Sequence, residues 1–180
     1  RAAENAACTP AEELFRIYFY HCPPYKGTEE KPFGAGATDF SAAGIVTYQE
    51  TLQSSLRLSP QVAFRGGILR WRGWQCRASD VRDPSTPASK LEWKPNFSQK
   101  EVDIKIGLDI AWLASKRIVD IIAIISGDTD FVPAMKFARR EGVQVRLVTF
   151  KHQKSKAHNN LVEHSDYVLD VDLEAIAGSP

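Results

Sequence analysis

Two aspartates separated by a single residue follow an apolar run in the stretch Ile124-Ile125-Ser126-Gly127-Asp128-Thr129-Asp130-Phe131. Like charges so close repel, so the pair needs either separate structural uses or a shared counter-charge. The structural uses are specific: Gly127 permits a tight turn, Asp128 is a turn residue, and Asp130 caps the helix that follows. The chemical use is a hard cation. Magnesium and manganese take oxygen ligands, usually one or two carboxylates with waters and substrate phosphate, and a bound divalent ion offsets the repulsion. Such a centre asks for a third acid from another element, and Asp103 and Asp109 are the candidates. On a helix these two stand roughly 240° apart, so only one can face the centre.

Other chemistries are poorly supplied. No Ser/His/Asp or Cys/His arrangement is convincing, and His21, His152, His158 and His164 lack the HxxxH and HExxH spacings of zinc sites. The glycine-rich FGAGATDFSAAG lacks the GK[ST] of a phosphate-binding loop. A DxD pair also serves glycosyltransferases, and paired acids serve phosphatases. Neither a phosphatase-like nucleophile motif nor a nucleotide-binding glycine loop accompanies this one. Cys8, Cys22 and Cys76 are odd in number, widely spaced and without CxxC, which disfavours a disulfide framework or a zinc site. Free thiols fit a reducing, cytoplasmic setting. No apolar run approaches the roughly 18 residues of a membrane span, and no secretory leader is visible.

The elements that must position the acids follow from pattern. Val119 to Ile125, nearly all β-branched and apolar, predicts a central parallel strand buried on both faces. Residues 131–141 carry a helical pattern with Phe131, Met135 and Ala138 on one face, closed at Glu141-Gly142. Val143 to Phe150 is a strand, 153–164 a helix, and Tyr167 to Val171 a last strand. This alternation implies a parallel sheet. Residues 102–116 alternate like a strand at first, but their unbroken length favours a helix of about four turns. Upstream, Leu14 to Tyr20 predicts a strand ending at Pro23-Pro24. Residues 26–44 predict a loop and 45–58 a helix. Residues 62–77 predict a hairpin with glycine turns, and 79–98 a proline- and serine-rich loop.

The chain has 180 residues and a net charge of only +1, so its whole charge does not argue for nucleic acid. Local charge does. Residues 57–100 hold nine Lys/Arg against three acids, with Trp71, Trp74 and Trp93 among them. Cations that track a backbone, with aromatics for stacking, are the chemistry of single-stranded nucleic-acid binding. Arg70, Arg72, Trp71 and Trp74 are the candidate contacts; the alternative is a hairpin whose tryptophans pack inward while its arginines face water. Lys151-His152-Gln153-Lys154 follows a strand end on the ligand side of the sheet, making Lys151 and Lys154 further candidates. Lys100 flanks Asp103 and could neutralise phosphate.

The segment Gln99-Lys100-Glu101-Val102-Asp103-Ile104-Lys105-Ile106-Gly107-Leu108-Asp109-Ile110-Ala111, followed by Ile125-Ser126-Gly127-Asp128-Thr129-Asp130-Phe131-Val132-Pro133, closely resembles the NYN domain family of the PIN-like nuclease superfamily. ARREGVQVRLV and LVEHSDYVLDVD look like its final strands. The resemblance is strong over 96–173, extends to 12–24 as a second strand, and covers 26–95 poorly. It implies one NYN/PIN-like domain over 1–180: an α/β, Rossmannoid parallel sheet flanked by helices, with a basic insertion at roughly 26–95. It further implies clustered acids binding Mg²⁺ or Mn²⁺ and hydrolysis of RNA, most simply single-stranded. Asp103 matches the helix acid, Asp128 the acid after the fourth strand and Asp130 the acid opening the next helix. Asp109 matches a recurrent motif position without a geometric reason to join them. Ser126 is the expected donor to Asp128. The resemblance leaves room for a homo-oligomer and for a catalytically inactive RNA-binding or scaffold module that keeps the fold.

One departure stands out. The family opens with an apolar strand ending in an aspartate, and nothing in residues 1–13 matches it, while Asp39 follows no predicted strand. The chain begins with Arg1, so the expectation is that this strand and its acid lie upstream of residue 1.

Overall fold

The computed structural model describes residues 8–76, 86–151 and 159–172. The chain divides into two compact units. One is discontinuous, formed by Arg1–Tyr18 with Asp103–Pro180; the other is the continuous stretch Phe19–Val102.

The discontinuous unit is a mixed α/β layer. Its sheet has three parallel strands in the order β7 (Ile121–Ile124), β8 (Gln144–Phe150), β9 (Tyr167–Val171). The helices are α2 (Val102–Ser115), α3 (Val132–Arg140) and α4 (Asn159–Glu163). The ambiguous segment after residue 102 is therefore helical. Ile110, Leu113 and Ala114 of α2, Ile122 and Ile124 of β7, Met135 and Ala138 of α3, and Val145 and Leu147 of β8 form one buried core. The strand buried on both faces is β8, four of whose seven residues are buried. The expectation of a central strand at 119–125 is corrected here. Among the described strands β7 has one neighbour, and its residues alternate between half-buried and buried. Gly142, at φ 88°, ends α3 as expected, its N–H donating to Arg139 O.

The continuous unit is built from hairpins and one helix. Strand β1 (Ile17–His21) pairs with β4 (Val62–Gly66), and Phe19 stacks on Phe64 at 6.1 Å. Helix α1 (Gly44–Leu58) packs on β4, with Arg57 over the Phe64 ring at 4.1 Å. The predicted loop at 26–44 contains a small antiparallel hairpin, β2 (Thr28–Glu30) with β3 (Ala37–Asp39). Asp39 therefore ends a strand after all, but a three-residue polar one. Its carboxylate accepts from Ser41 N at 2.9 Å and Ser41 Oγ at 2.6 Å, and these bonds hold its pKa below the usual carboxylate range.

The predicted hairpin over 62–77 does not form. Strand β5 (Ile68–Gln75) pairs antiparallel with β6 (Lys94–Lys100), inside the segment predicted as loop. The reason lies at Gly66-Gly67. A two-residue hairpin turn of the favoured kind needs positive φ, and neither glycine has it. Gly67 instead donates to His21 O at 3.0 Å, which extends the β1 side. A Cβ there would lie 2.5 Å from Val102 Cγ2 and 2.8 Å from Lys100 O, so glycine is required by close approach. A bulge between Trp71 and Trp74, with Gly73 at φ 92°, lets the β5–β6 ladder resume opposite Pro95.

Candidate active site

Strand β7 ends at Ile124, and Ile125-Ser126-Gly127 carries the chain past the carboxyl edge of the parallel sheet, where ligands bind in open α/β folds. A single 3₁₀ turn, Thr129–Phe131, then leads into α3, whose Pro133 suits a helix start. Phe131, Val132 and Met135 are buried and fix the direction of the turn.

The roles of the two acids at this turn are the reverse of the simplest expectation. Asp128, in extended conformation, is the cap: its Oδ1 accepts from Asp130 N at 2.9 Å. Asp130 lies in the first turn and is not the capping residue. Ser126 also differs from expectation. Its Oγ accepts from the backbone N–H of Asp128 at 3.1 Å, so it fixes the main chain of Asp128 instead of donating to the carboxylate. Both carboxylates are exposed. The cap occupies one oxygen of Asp128, and a carboxylate has two.

Asp103 is exposed in the first turn of α2 and belongs to the same compact unit. The core that holds α2 against β7 and α3 thus supports both acid-bearing segments, the first turn of α2 and the turn between β7 and α3. Among the described residues, no group of three or more His, Cys, Asp or Glu side chains is close enough to hold a metal ion. The structure brings Asp128 and Asp130 together through one turn and does not gather Asp103 with them into such a group. On donor chemistry the Asp128/Asp130 pair fits magnesium or manganese, which take one or two carboxylates with waters and phosphate.

Sequence reasoning missed Asp170. Thr149 lies two residues beyond the last β7–β8 pair and is in register with Asp170, to which its hydroxyl donates at 3.0 Å. Asp170 therefore sits at the carboxyl end of the sheet. Only strand register reveals it, because no motif marks it. Lys151 follows β8 at the same end and is exposed; Lys154 lies outside the described residues.

In the continuous unit, β5 sorts its residues by face. Trp71 packs with Phe97 at 5.2 Å, Trp74 at 5.4 Å, Phe40 at 5.5 Å and Tyr25 at 6.1 Å. Trp74 Nε1 donates to Glu30 O at 2.6 Å. These rings tie the β5–β6 hairpin to the β2–β3 hairpin. Arg70 and Arg72 are exposed, and Arg72 Nε donates to Ser98 Oγ at 2.9 Å. Arg70 pairs with Ser98 and Ile68 with Lys100, so the period of two puts Arg70, Arg72 and Lys100 on the face opposite Trp71.

Comparison with known proteins agrees with the acid-bearing frame. The uncharacterized protein MJ0482 of Methanocaldococcus jannaschii is 29% identical over 82 residues, which are 46% of this chain and 33% of that protein. The chain thus matches about a third of that relative's length. No solved structure matches. The family model described as the NYN domain matches residues 71–172, more than half of the chain and the stretch that holds α2, β7, α3, β8 and β9. The chain belongs to the NYN domain family.

Proposed function

We propose that this chain is a metal-dependent ribonuclease that hydrolyses RNA phosphodiester bonds, with Asp103, Asp128 and Asp130 as its acids and Mg²⁺ or Mn²⁺ as its cofactor. The observation that carries the reading is the exposed Asp128/Asp130 pair at the carboxyl end of β7, inside the segment that matches the NYN family. When bound, the metal would supply Lewis-acid stabilisation of charge on the phosphate and a more acidic bound water. The chain's own part is positional. Asp128 is held by its cap to Asp130 N and by Ser126. Asp130 projects from a turn anchored by buried Phe131. Lys151, beside the same sheet edge, would contact phosphate, as would Lys154. In this reading the chain is one NYN/PIN-like domain, and the basic middle is its insertion.

The test is incubation of the complete coding product with single-stranded RNAs, with Mn²⁺ or with EDTA. Cleavage that requires metal and disappears in Asp130→Asn is expected. Equal cleavage under EDTA, or none by the wild-type protein on any of several RNAs, overturns the proposal.

A second reading rests on a different observation. Arg70, Arg72 and Lys100 present a basic face on the β5–β6 hairpin that needs no metal to contact phosphates. A non-catalytic RNA-binding or scaffold module would use this face alone, with Trp71 and Trp74 supporting it from the packed side. RNA affinity that does not weaken with added salt would exclude that use.

A further inference from the structure

At the amino end of the parallel sheet, opposite the acidic turn, lies an open cavity of about 410 Å³. It is lined by Arg139 and Arg140 from the last turn of α3, by Gly142, Val143 and Gln144 leading into β8, and by Asp166 just before β9. Arg139 Nε donates to Asp166 Oδ1 at 3.0 Å, and Val145 N donates to Asp166 Oδ2 at 2.7 Å. The carboxylate thus has both oxygens engaged. The Arg139 guanidinium is fixed, and its terminal nitrogens have no partner among the described residues. Arg140 lies over the Phe137 ring at 5.2 Å and has no ion pair among the described residues. Gln144 Oε1 accepts from Tyr167 Oη at 3.1 Å, which leaves its amide N–H groups to donate.

Basic residues in a last turn also complement the helix dipole. Here the final carbonyls of α3 are already satisfied: Phe137 O, Ala138 O and Arg139 O accept from the N–H groups of Glu141, Val143 and Gly142. The guanidiniums are therefore not consumed in capping. Two of them against one engaged carboxylate leave the lining positive and rich in donors, which suits a phosphate group. Lys136, exposed one turn earlier, stands within roughly 60° of both arginines around the helix and about 6 Å from Arg140 along it. A row of cations suits a polyanion better than a single ion. The row also leads somewhere: α3 is roughly 13 Å long and begins at the turn that carries Asp128 and Asp130.

We propose that the cavity and the exposed face of α3 form a second RNA site. Arg139 and Arg140 hold one backbone phosphate, Lys136 holds a neighbouring one, and the single strand runs along α3 towards the acidic turn. This site rests on the reading that RNA is the ligand of the chain, and it needs neither metal nor cleavage.

Fluorescence anisotropy of a labelled single-stranded oligouridylate on the full chain, in EDTA and over a salt series, tests this. Arg140→Ala and Lys136→Ala should each weaken binding about threefold or more and reduce the salt slope by about one, with unchanged melting temperatures. Lys116→Ala removes an exposed charge at the same end of the sheet but outside the cavity, and should leave the affinity unchanged. Equal losses in all three variants, or none in Arg140→Ala and Lys136→Ala, would overturn the site while the proposed ribonuclease stands. Uridine monophosphate that binds the wild-type chain but not Arg140→Ala, with RNA affinity indifferent to that change, would assign the cavity to a free nucleotide and overturn the site likewise. A wild-type chain that binds no RNA would overturn both the site and the reading beneath it.

Discussion

Arg146, in the middle strand of the parallel sheet, grips Glu12 with both terminal nitrogens: Nη1 lies 2.8 Å from one carboxylate oxygen and Nη2 2.6 Å from the other. Arg146 is almost fully buried, and its guanidinium also donates to Tyr167 Oη at 3.2 Å and lies 4.9 Å from that ring's centre. Thr9 N donates to the same carboxylate at 2.8 Å. Removing Glu12 leaves a buried cation without its counter-charge, the most damaging way to break such a pair. Glu12→Gln should lower the melting temperature by several degrees, and Arg146→Ala by more because it also removes packing against Tyr167. Differential scanning calorimetry measures both.

The same pair predicts a pH dependence. The Arg146 side-chain hydrogen bond, aided by Thr9 N–H, lowers the Glu12 pKa from 4.5 to about 2. A carboxyl group whose pKa is depressed on folding binds its proton more readily in the unfolded chain. Its contribution to stability is present above pH 4.5 and is lost as pH falls towards about 2. Denaturant midpoints measured across that window should fall more steeply for the wild-type chain than for Glu12→Gln, whose side chain does not titrate.

At the acidic turn, fold and chemistry separate by one atom type. Asn caps helices about as well as Asp, so Asp128→Asn should keep the melting temperature while abolishing Mn²⁺-dependent cleavage. Asp128→Ala loses the cap to Asp130 N and should cost about 1 kcal/mol besides. Asp130→Asn should abolish cleavage with no change in stability. Denaturation curves beside cleavage assays decide each case.

On the β5–β6 hairpin, Arg70→Ala and Arg72→Ala should each weaken RNA binding about equally for all sequences. Each should reduce the salt slope of the logarithm of affinity by about one. Fluorescence anisotropy across a salt series reads this. Trp71→Ala should instead unfold the continuous unit at lower temperature, because that ring contacts Tyr25, Phe40, Trp74 and Phe97.

Gly67→Ala should cost about 1–3 kcal/mol, because its new methyl would press on Val102, Lys100 O and Cys22 Sγ. Chemical denaturation measures the loss.

The legibility of this chain followed the range of its interactions. Strands β7, β8 and β9 and helix α3 were readable because apolar period and Gly142 are local signals. Unbroken length pointed to helix α2, although its alternation imitates a strand. Pairing between strands was not readable. Gly66-Gly67 looks like a turn in sequence, and only the bond from Gly67 to His21 shows that β4 and β5 belong to different sheets. Strand β6 was hidden by Pro95, which the bulge at Trp71/Trp74 accommodates. At the site, the two acids were legible as a pair, but not which one caps, since Asp is suited to both positions. Asp170 was invisible because only its partner Thr149 places it.

The Arg146–Glu12 clamp also says something about when this protein can finish folding. Its two ends are 134 residues apart, and the whole of Phe19–Val102 lies between them. At roughly 5–20 residues per second, a ribosome would add Arg146 on the order of ten to thirty seconds after Glu12. During that interval the continuous stretch is completed while the discontinuous unit still lacks its middle strand. The segment that carries Glu12 thus waits, through the synthesis of all of Phe19–Val102, for the strand that locks it.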